Sequence, residues 1–140
     1  MERIITYIDG FNLYFGLRSK GWKRYYWLDL SKLSGNLLKS NQTLQQVKYF
    51  TARISSSPSK VLRQGTFIEV LETLSNLEIF YGNYLSNFKE CRRCKALIET
   101  PNEKMTDVNI ATELLSDAFK NSLSVSTFNR ETVESLVGIH

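Results

Sequence analysis

IITYIDGFNLYFGL, residues 4 to 17, is the stretch that decides the fold. It opens with an apolar, β-branched run, residues 4 to 8, whose composition is typical of a buried strand. The run stops at Asp9 and Gly10, and Asn12 follows. A buried strand that ends on a carboxylate and then turns at a glycine delivers that carboxylate to the carboxyl edge of a sheet. In open α/β sheets ligands bind at that edge, so Asp9 is the first candidate functional residue.

The same residues also have a purely structural interpretation. Asp-Gly and Asn are common turn and cap residues, and Asp9 or Asn12 serves equally well as the cap of a helix that starts near Leu13. Both interpretations stay open on these residues alone.

Length and composition predict one ordinary globular domain. The chain has 140 residues and a net charge of +4. We expect no membrane association, because no apolar run approaches the roughly 20 residues that span a bilayer. The N-terminal MERII enters a strand directly and does not resemble a signal peptide, so we expect a cytoplasmic protein.

The remaining pattern alternates strands and helices, which predicts a parallel sheet covered by helices. One amphipathic helix is expected to turn six apolar side chains inward: Val61, Leu62, Phe67, Ile68, Leu71 and Leu74. The predicted elements after the first strand are a short helix ending at Gly21, a helix over Leu30 to Leu38 capped by Asp29 or Ser31, a strand over 44–54, a helix over 59–75, a strand over 77–85 and a helix over 103–121.

Basic and aromatic residues alternate between Lys20 and Trp27. Such a segment suits a nucleic-acid strand, since cations neutralise phosphates and aromatic rings stack on bases. Lys23 and Arg24 are the candidate phosphate contacts here. A solvated surface whose aromatic side chains pack on the core is the alternative.

Acidic residues on the last predicted helix suggest a second part of the Asp9 site. Glu103 and Asp107 are four residues apart and would share a helix face near its N-terminus, although the helix dipole alone favours carboxylates there. If that end meets the Asp9 edge, oxygen ligands suited to Mg²⁺ or Mn²⁺ converge. Lys104 would then contact phosphate, and Arg53, at the end of a parallel strand, would emerge at the same edge.

IDGFNLY together with EKMTDVNIATELLSDA resembles the NYN-domain proteins, the bacterial LabA-like group within the PIN-like nuclease superfamily. The resemblance covers residues 1–121 and implies a three-layer α/β/α, Rossmann-like domain with a central parallel sheet. It also implies a divalent-metal site and hydrolysis of RNA phosphodiester bonds by metal-activated water. By motif, Asp9 and Asp107 match metal-binding acids, and Asn12 matches an asparagine that orients substrate or a metal-bound water. Lys104 and Glu103 are weaker matches.

The tail, residues 122–140, departs from the family pattern. There the helix leads to another strand that ends in a Ser-Gly/Ala-Asp-x-Asp motif and supplies further acids. In this chain LSVSTF is a possible strand, but no Asp follows it, and the nearest acids are Glu131 and Glu134. The chain is then either a degenerate member or one completed by another subunit, and an exposed sheet edge would favour a homodimer.

Cys91-x-x-Cys94 is half of a zinc ribbon. The chain has no other cysteine and one histidine, His140, so a zinc site within one chain is not expected, although two chains could share one. A redox pair is a further option, and two reduced cysteines in a cytosolic loop are the simplest expectation.

Two functions follow from these patterns. The first is a metal-dependent ribonuclease that uses Asp9, Asn12 and Asp107. The second is a catalytically inactive RNA-binding or regulatory assembly module on the same fold, carried by the basic and aromatic segment.

Overall fold

The computed structural model describes residues 1–55, 57–104, 106–120 and 124–128, with side chains for all of these except 84–87, 99–104 and 124–128. The elements follow one another as β1 (Glu2–Asp9), α1 (Gly10–Ser19), a 3₁₀ helix (Lys23–Trp27), α2 (Leu30–Asn36), β2 (Gln42–Ala52), α3 (Pro58–Glu72), β3 (Leu77–Glu90), β4 (Leu97–Lys104), α4 (Thr106–Lys120) and β5 (Ser124–Phe128). None of the helices in these ranges is long and apolar enough to cross a membrane.

The strands form one sheet in the order β4-β3-β2-β1-β5. β2 is the central strand, and β1 lies between β2 and β5, parallel to both. β2 is parallel to the first part of β3, from Leu77 to Gly82. The predicted α/β class with a central parallel sheet is confirmed, while the three-layer arrangement stays a prediction.

Two apolar clusters hold the helices on the sheet. Because side chains alternate along a strand, neighbouring residues of β1 and β2 belong to different clusters. One contains Ile8, Leu13, Leu17, Leu30, Val47, Tyr49 and Leu71, and so joins β1 and β2 to α1, α2 and α3. The other contains Ile5, Tyr7 and Phe50, with Ile110 and Leu114 of α4 packed against them. Each fully buried side chain of this size contributes about 1.5–3 kcal/mol.

Most aromatic side chains between Lys20 and Trp27 pack on the core, as the alternative to a nucleic-acid surface predicted. Trp22, Tyr25 and Tyr26 are half-buried against the first cluster. Trp27 is half-exposed, and its ring contacts Phe67 of α3 edge-on, with the ring centroids 5.9 Å apart. These aromatic rings therefore serve first to cover the core.

The predictions for residues 86–104 are wrong. β3 continues beyond the parallel sheet to Glu90, turns through the cysteine pair and returns as β4 in an antiparallel hairpin. Residues 97–104 are therefore a strand, and α4 begins only at Thr106. The ladder satisfies the backbone of this polar stretch without a helix, and Pro101 is tolerated because β4 is an edge strand.

Of two further predictions, one is wrong and one is confirmed. Val61 and Leu62 do not face inward: they lie in the first turns of α3 and are 39% and 72% exposed, because the core contact of this helix is made by Ile68 and Leu71 further along. In contrast, the expected strand in LSVSTF is confirmed over the described residues Ser124–Phe128, since β5 pairs with β1. Glu131, Glu134 and His140 lie outside the described residues.

Candidate functional site

Asp9 ends β1 and caps α1. It is only 7% exposed. One carboxylate oxygen, Oδ1, accepts hydrogen bonds from the Phe11 and Asn12 amides at 3.1 Å each, and Oδ2 accepts one from the Asn12 side-chain amide at 3.0 Å. The capping interpretation is thus correct, and Asn12 holds the carboxylate in place. Capping uses only part of the acceptor capacity, since each carboxylate oxygen carries two lone pairs.

Gly10 follows Asp9 for a steric reason. A Cβ on Gly10 would overlap the Tyr49 ring and hydroxyl of β2 and would stand 3.0 Å from the Phe50 carbonyl oxygen. The chain passes directly from β1 into α1 at this residue, so no left-handed turn is involved. Glycine allows α1 to start close against β2, which places Asp9 at the carboxyl edge of the sheet.

Asp107 is brought to Asp9 from the other end of the sequence. It lies exposed in the first turn of α4, at the carboxyl edge of the sheet. Burial raises the pKa of Asp9, and the negative charge of Asp107 raises it further, against hydrogen bonds from the Asn12 and Phe11 amides that lower it. The two carboxylates are therefore close enough to interact electrostatically. Asp9 and Asp107 form the acidic part of the candidate site.

A cation and an aromatic ring lie along the same edge. Arg53 directly follows β2, and its guanidinium carbon is 5.4 Å from the centre of the Tyr81 ring. Tyr81 is 44% exposed, on the neighbouring strand β3. The Asn109 side chain of α4 donates to the Tyr81 carbonyl oxygen at 3.4 Å, which ties the start of α4 to β3. Arg53 was a sequence candidate, whereas Tyr81 and Asn109 were missed.

The other predicted site residues have different positions. Glu103 and Lys104 stand on β4, so the expected helix face shared by Glu103 and Asp107 does not exist. The side chains of Glu103 and Lys104 lie outside the described part of the chain. Lys23 and Arg24 are exposed and follow the far end of α1, about 15 Å along the helix axis from Asp9.

A second polar cluster, which sequence patterns did not single out, lies beneath α4. The Lys48 ammonium of β2 donates to Glu113 at 2.8 Å and to Asp117 at 2.7 Å, and the Tyr7 hydroxyl donates to Asp117. Burial tends to raise the pKa of Asp117, but its bonds from Lys48 and Tyr7 hold the pKa below its usual range. Burial and Asp117 raise the pKa of Tyr7.

The cysteine pair lies in the turn between β3 and β4. Hydrogen bonds from the Cys94 amide, the Arg93 amide and the Cys94 side chain lower the pKa of the Cys91 thiol. Both cysteines are free. The pair belongs to the tip of the hairpin and contributes nothing to the Asp9 edge.

Comparisons with protein-family models, with curated proteins and with solved structures found no match for this chain. The resemblance to NYN-domain proteins therefore depends on the two motifs around Asp9 and Asp107. Within the described ranges, no cluster of three or more acidic, histidine or cysteine side chains is placed to hold a metal ion. The described part of the candidate site therefore has two carboxylates, those of Asp9 and Asp107.

Proposed function

We propose that this chain is a divalent-metal-dependent endoribonuclease of the NYN/PIN-like type. The observation that carries the proposal is that Asp107, in the first turn of α4, lies close enough to the buried and oriented Asp9 at the end of β1 to raise the pKa of Asp9. Two elements separated by about a hundred residues contribute one acid each to the edge where open α/β sheets bind ligands. Capping accounts for Asp9 and the helix dipole favours Asp107 at the start of α4, but neither requires the two carboxylates to lie close together.

The donor set fits Mg²⁺ or Mn²⁺. These hard cations prefer oxygen ligands, and Mg²⁺ commonly uses one or two carboxylates with waters and substrate phosphate. Asp9 and Asp107 would hold the ion, and a cation between them would offset the repulsion that contributes to the raised pKa of Asp9. Such an ion lowers the pKa of water and stabilises negative charge on a scissile phosphate.

The residues around the two acids have separate tasks in this proposal. Asn12 and the Phe11 amide fix both oxygens of Asp9, so the carboxylate needs little reorganisation when charge develops nearby. Arg53 contacts a backbone phosphate, and the exposed Tyr81 ring offers a surface on which a base stacks. Lys104, Lys23 and Arg24 are kept as outer phosphate contacts.

We place this activity in the cytoplasm. An RNA substrate and two free cysteines are both typical of that compartment. No membrane partner enters the proposal.

The second candidate function is a catalytically inactive RNA-binding or regulatory module. The observation that favours it is the pair of acids itself: ligand charge and number set metal affinity, and the described residues bring together only Asp9 and Asp107. In this case Arg53 and Tyr81 would bind RNA without metal.

The test is cleavage of an end-labelled single-stranded RNA by the full chain with Mn²⁺ or Mg²⁺, against EDTA. The nuclease proposal predicts cutting that EDTA and Asp9→Asn both abolish. Asp29→Asn is the matched control, because Asp29 also caps a helix but lies at α2. RNA that is shifted in a gel but never cut, with metal in excess, would identify the binding module instead.

A further inference from the structure

The hairpin of β3 and β4 carries the cysteine pair away from the Asp9 edge. Eight consecutive residue pairs, from Asn83 with Lys104 to Glu90 with Leu97, form its ladder. At about 3.3 Å per residue the hairpin reaches about 26 Å past the parallel part of the sheet. The tip is therefore a separate feature with a chemistry of its own.

The turn at this tip presents two sulfur atoms together. The Cys91 amide donates to the Ala96 carbonyl and the Lys95 amide to the Cys91 carbonyl, both at 2.9 Å. Lys95 takes a left-handed conformation, with a φ of 57°, which turns the chain back after Cys94. Hydrogen bonding by the Cys94 and Arg93 amides and by the Cys94 side chain lowers the pKa of the Cys91 thiol.

The turn and the spacing of the two cysteines are compatible with half of a thiolate metal site. Backbone N–H groups that point at a sulfur stabilise its anionic form, which is the form that binds metal. The Cys-x-x-Cys spacing is the one that zinc sites use, with thiolate ligands arranged tetrahedrally around Zn²⁺. A hairpin that served only to reverse the chain would need neither sulfur.

A closed zinc site needs four ligands, and one hairpin tip supplies two. No third acidic, histidine or cysteine side chain joins Cys91 and Cys94 in the described ranges. We propose that Cys91 and Cys94 of two copies of this chain bind one Zn²⁺, which joins the copies through their hairpin tips. Each site is incomplete without the second copy.

The residues around the cysteine pair suit a dimer in which two hairpin tips share one Zn²⁺. Arg92, Arg93 and Lys95 make each tip basic, so two bare tips repel one another. Four thiolates around Zn²⁺ carry a net charge of −2, which these cations offset. Next to the tip, Phe88 and Leu97 share one face of the hairpin and are 65% and 71% exposed, so a second hairpin would cover apolar surface there.

The experiment is zinc stoichiometry and mass of the reduced full chain, measured by elemental analysis, native mass spectrometry and light scattering. The proposal predicts a dimer with about 0.5 zinc per chain, which a chelator converts to a folded monomer. Co²⁺ in place of zinc should give thiolate-to-metal charge-transfer bands. Cys91→Ser and Cys94→Ser should each give a folded monomer without zinc, since Cys94 is exposed and Cys91 is only partly buried.

His140→Gln is the matched control, because it removes the one histidine, and it should keep both zinc and the dimer. The proposal is overturned by a monomer that holds one zinc per chain, by loss of zinc in His140→Gln, or by a reduced, folded chain that binds no zinc. A dimer that survives both cysteine variants also overturns it. None of these results depends on RNA cleavage, so the nuclease proposal stands or fails separately.

Discussion

The ammonium group of Lys48 lies 2.7 Å from the Asp117 carboxylate and connects the centre of the sheet to the second half of α4. Lys48 is only 5% exposed, so this is a buried charge held by two carboxylates rather than a surface ion pair. The bond fixes how α4 lies on β1 and β2. Because Asp107 belongs to the first turn of the same helix, the cluster also helps to set where Asp107 stands.

Lys48→Met is expected to destabilise the fold by about 3 kcal/mol, because it leaves Glu113 and Asp117 partly buried with no cation. Urea unfolding measures this change. A triple variant that adds Glu113→Gln and Asp117→Asn removes the uncompensated charge and should recover most of the loss. A single variant within about 0.5 kcal/mol of wild type would show that the ion pairs contribute little.

The same cluster predicts the pH dependence of stability at both extremes. Asp117 has a lowered pKa in the folded chain, so its contribution is present above its ordinary value of 3.8 and is lost as pH falls below about 4. Tyr7 and Lys48 have raised pKa values, so their contributions are present below about pH 10 and are lost as pH rises further.

Urea midpoints measured from pH 2 to 11 test these signs. In Asp117→Asn the urea midpoint should fall less steeply at acid pH than in wild type. In Tyr7→Phe it should fall less steeply at alkaline pH. If the urea midpoint of Asp117→Asn falls at acid pH as steeply as that of wild type, Asp117 does not contribute to the acid dependence.

Gly10→Ala should cost about 2 kcal/mol, because the added Cβ meets the Tyr49 ring and the Phe50 carbonyl in a packed region. Gly65→Ala in α3 is the control: nothing lies within 4 Å of its Cβ position, and alanine should stabilise that helix by about 0.5–1 kcal/mol. Thermal melts of the two variants should therefore move in opposite directions. Equal shifts would show that Gly10 is not under steric constraint.

The ionised carboxylate of Asp9 is expected to lower the stability of the fold, although the proposed metal site requires it. Its raised pKa means that the ionised form weakens the fold above the ordinary value of 3.8 and that protonation relieves this as pH falls. Asp9→Asn keeps an oxygen for the Phe11 and Asn12 amides without the charge, so its melting temperature at pH 7 should equal or exceed that of wild type. Asp9→Ala loses the cap as well and should be about 1 kcal/mol less stable than Asp9→Asn. An Asn variant less stable than the Ala variant would contradict this account.

Much of the parallel sheet was predictable because its signals are local. The run before Asp9 and the strand ahead of Arg53 are rich in β-branched and aromatic residues, and α3 has helical spacing. Once those strands are parallel, the meeting of Asp9 with an acid at the start of a following helix is a consequence of topology. The prediction failed in the hairpin between Asn83 and Lys104, because its strands are largely polar and lack a clear apolar alternation.

Two features had no local signal at all. Lys48 in a strand pattern is typical of a solvent-facing position, and its partners Glu113 and Asp117 lie 65 and 69 residues downstream. The need for glycine at position 10 comes from Tyr49 on a neighbouring strand, whereas the sequence indicates only a turn. Both depend on how separate elements pack.

The most direct test of the central claim is the Mn²⁺ dependence of RNA cleavage in wild type, Asp9→Asn, Asp107→Asn and the double variant. If Asp9 and Asp107 share one ion, cleavage saturates with Mn²⁺ in wild type, and Asp107→Asn needs at least about 10-fold more Mn²⁺. Asp9→Asn should lower the rate by about 100-fold or more, with little further loss in the double variant. Cleavage that persists in EDTA, or that neither substitution changes, would contradict the account.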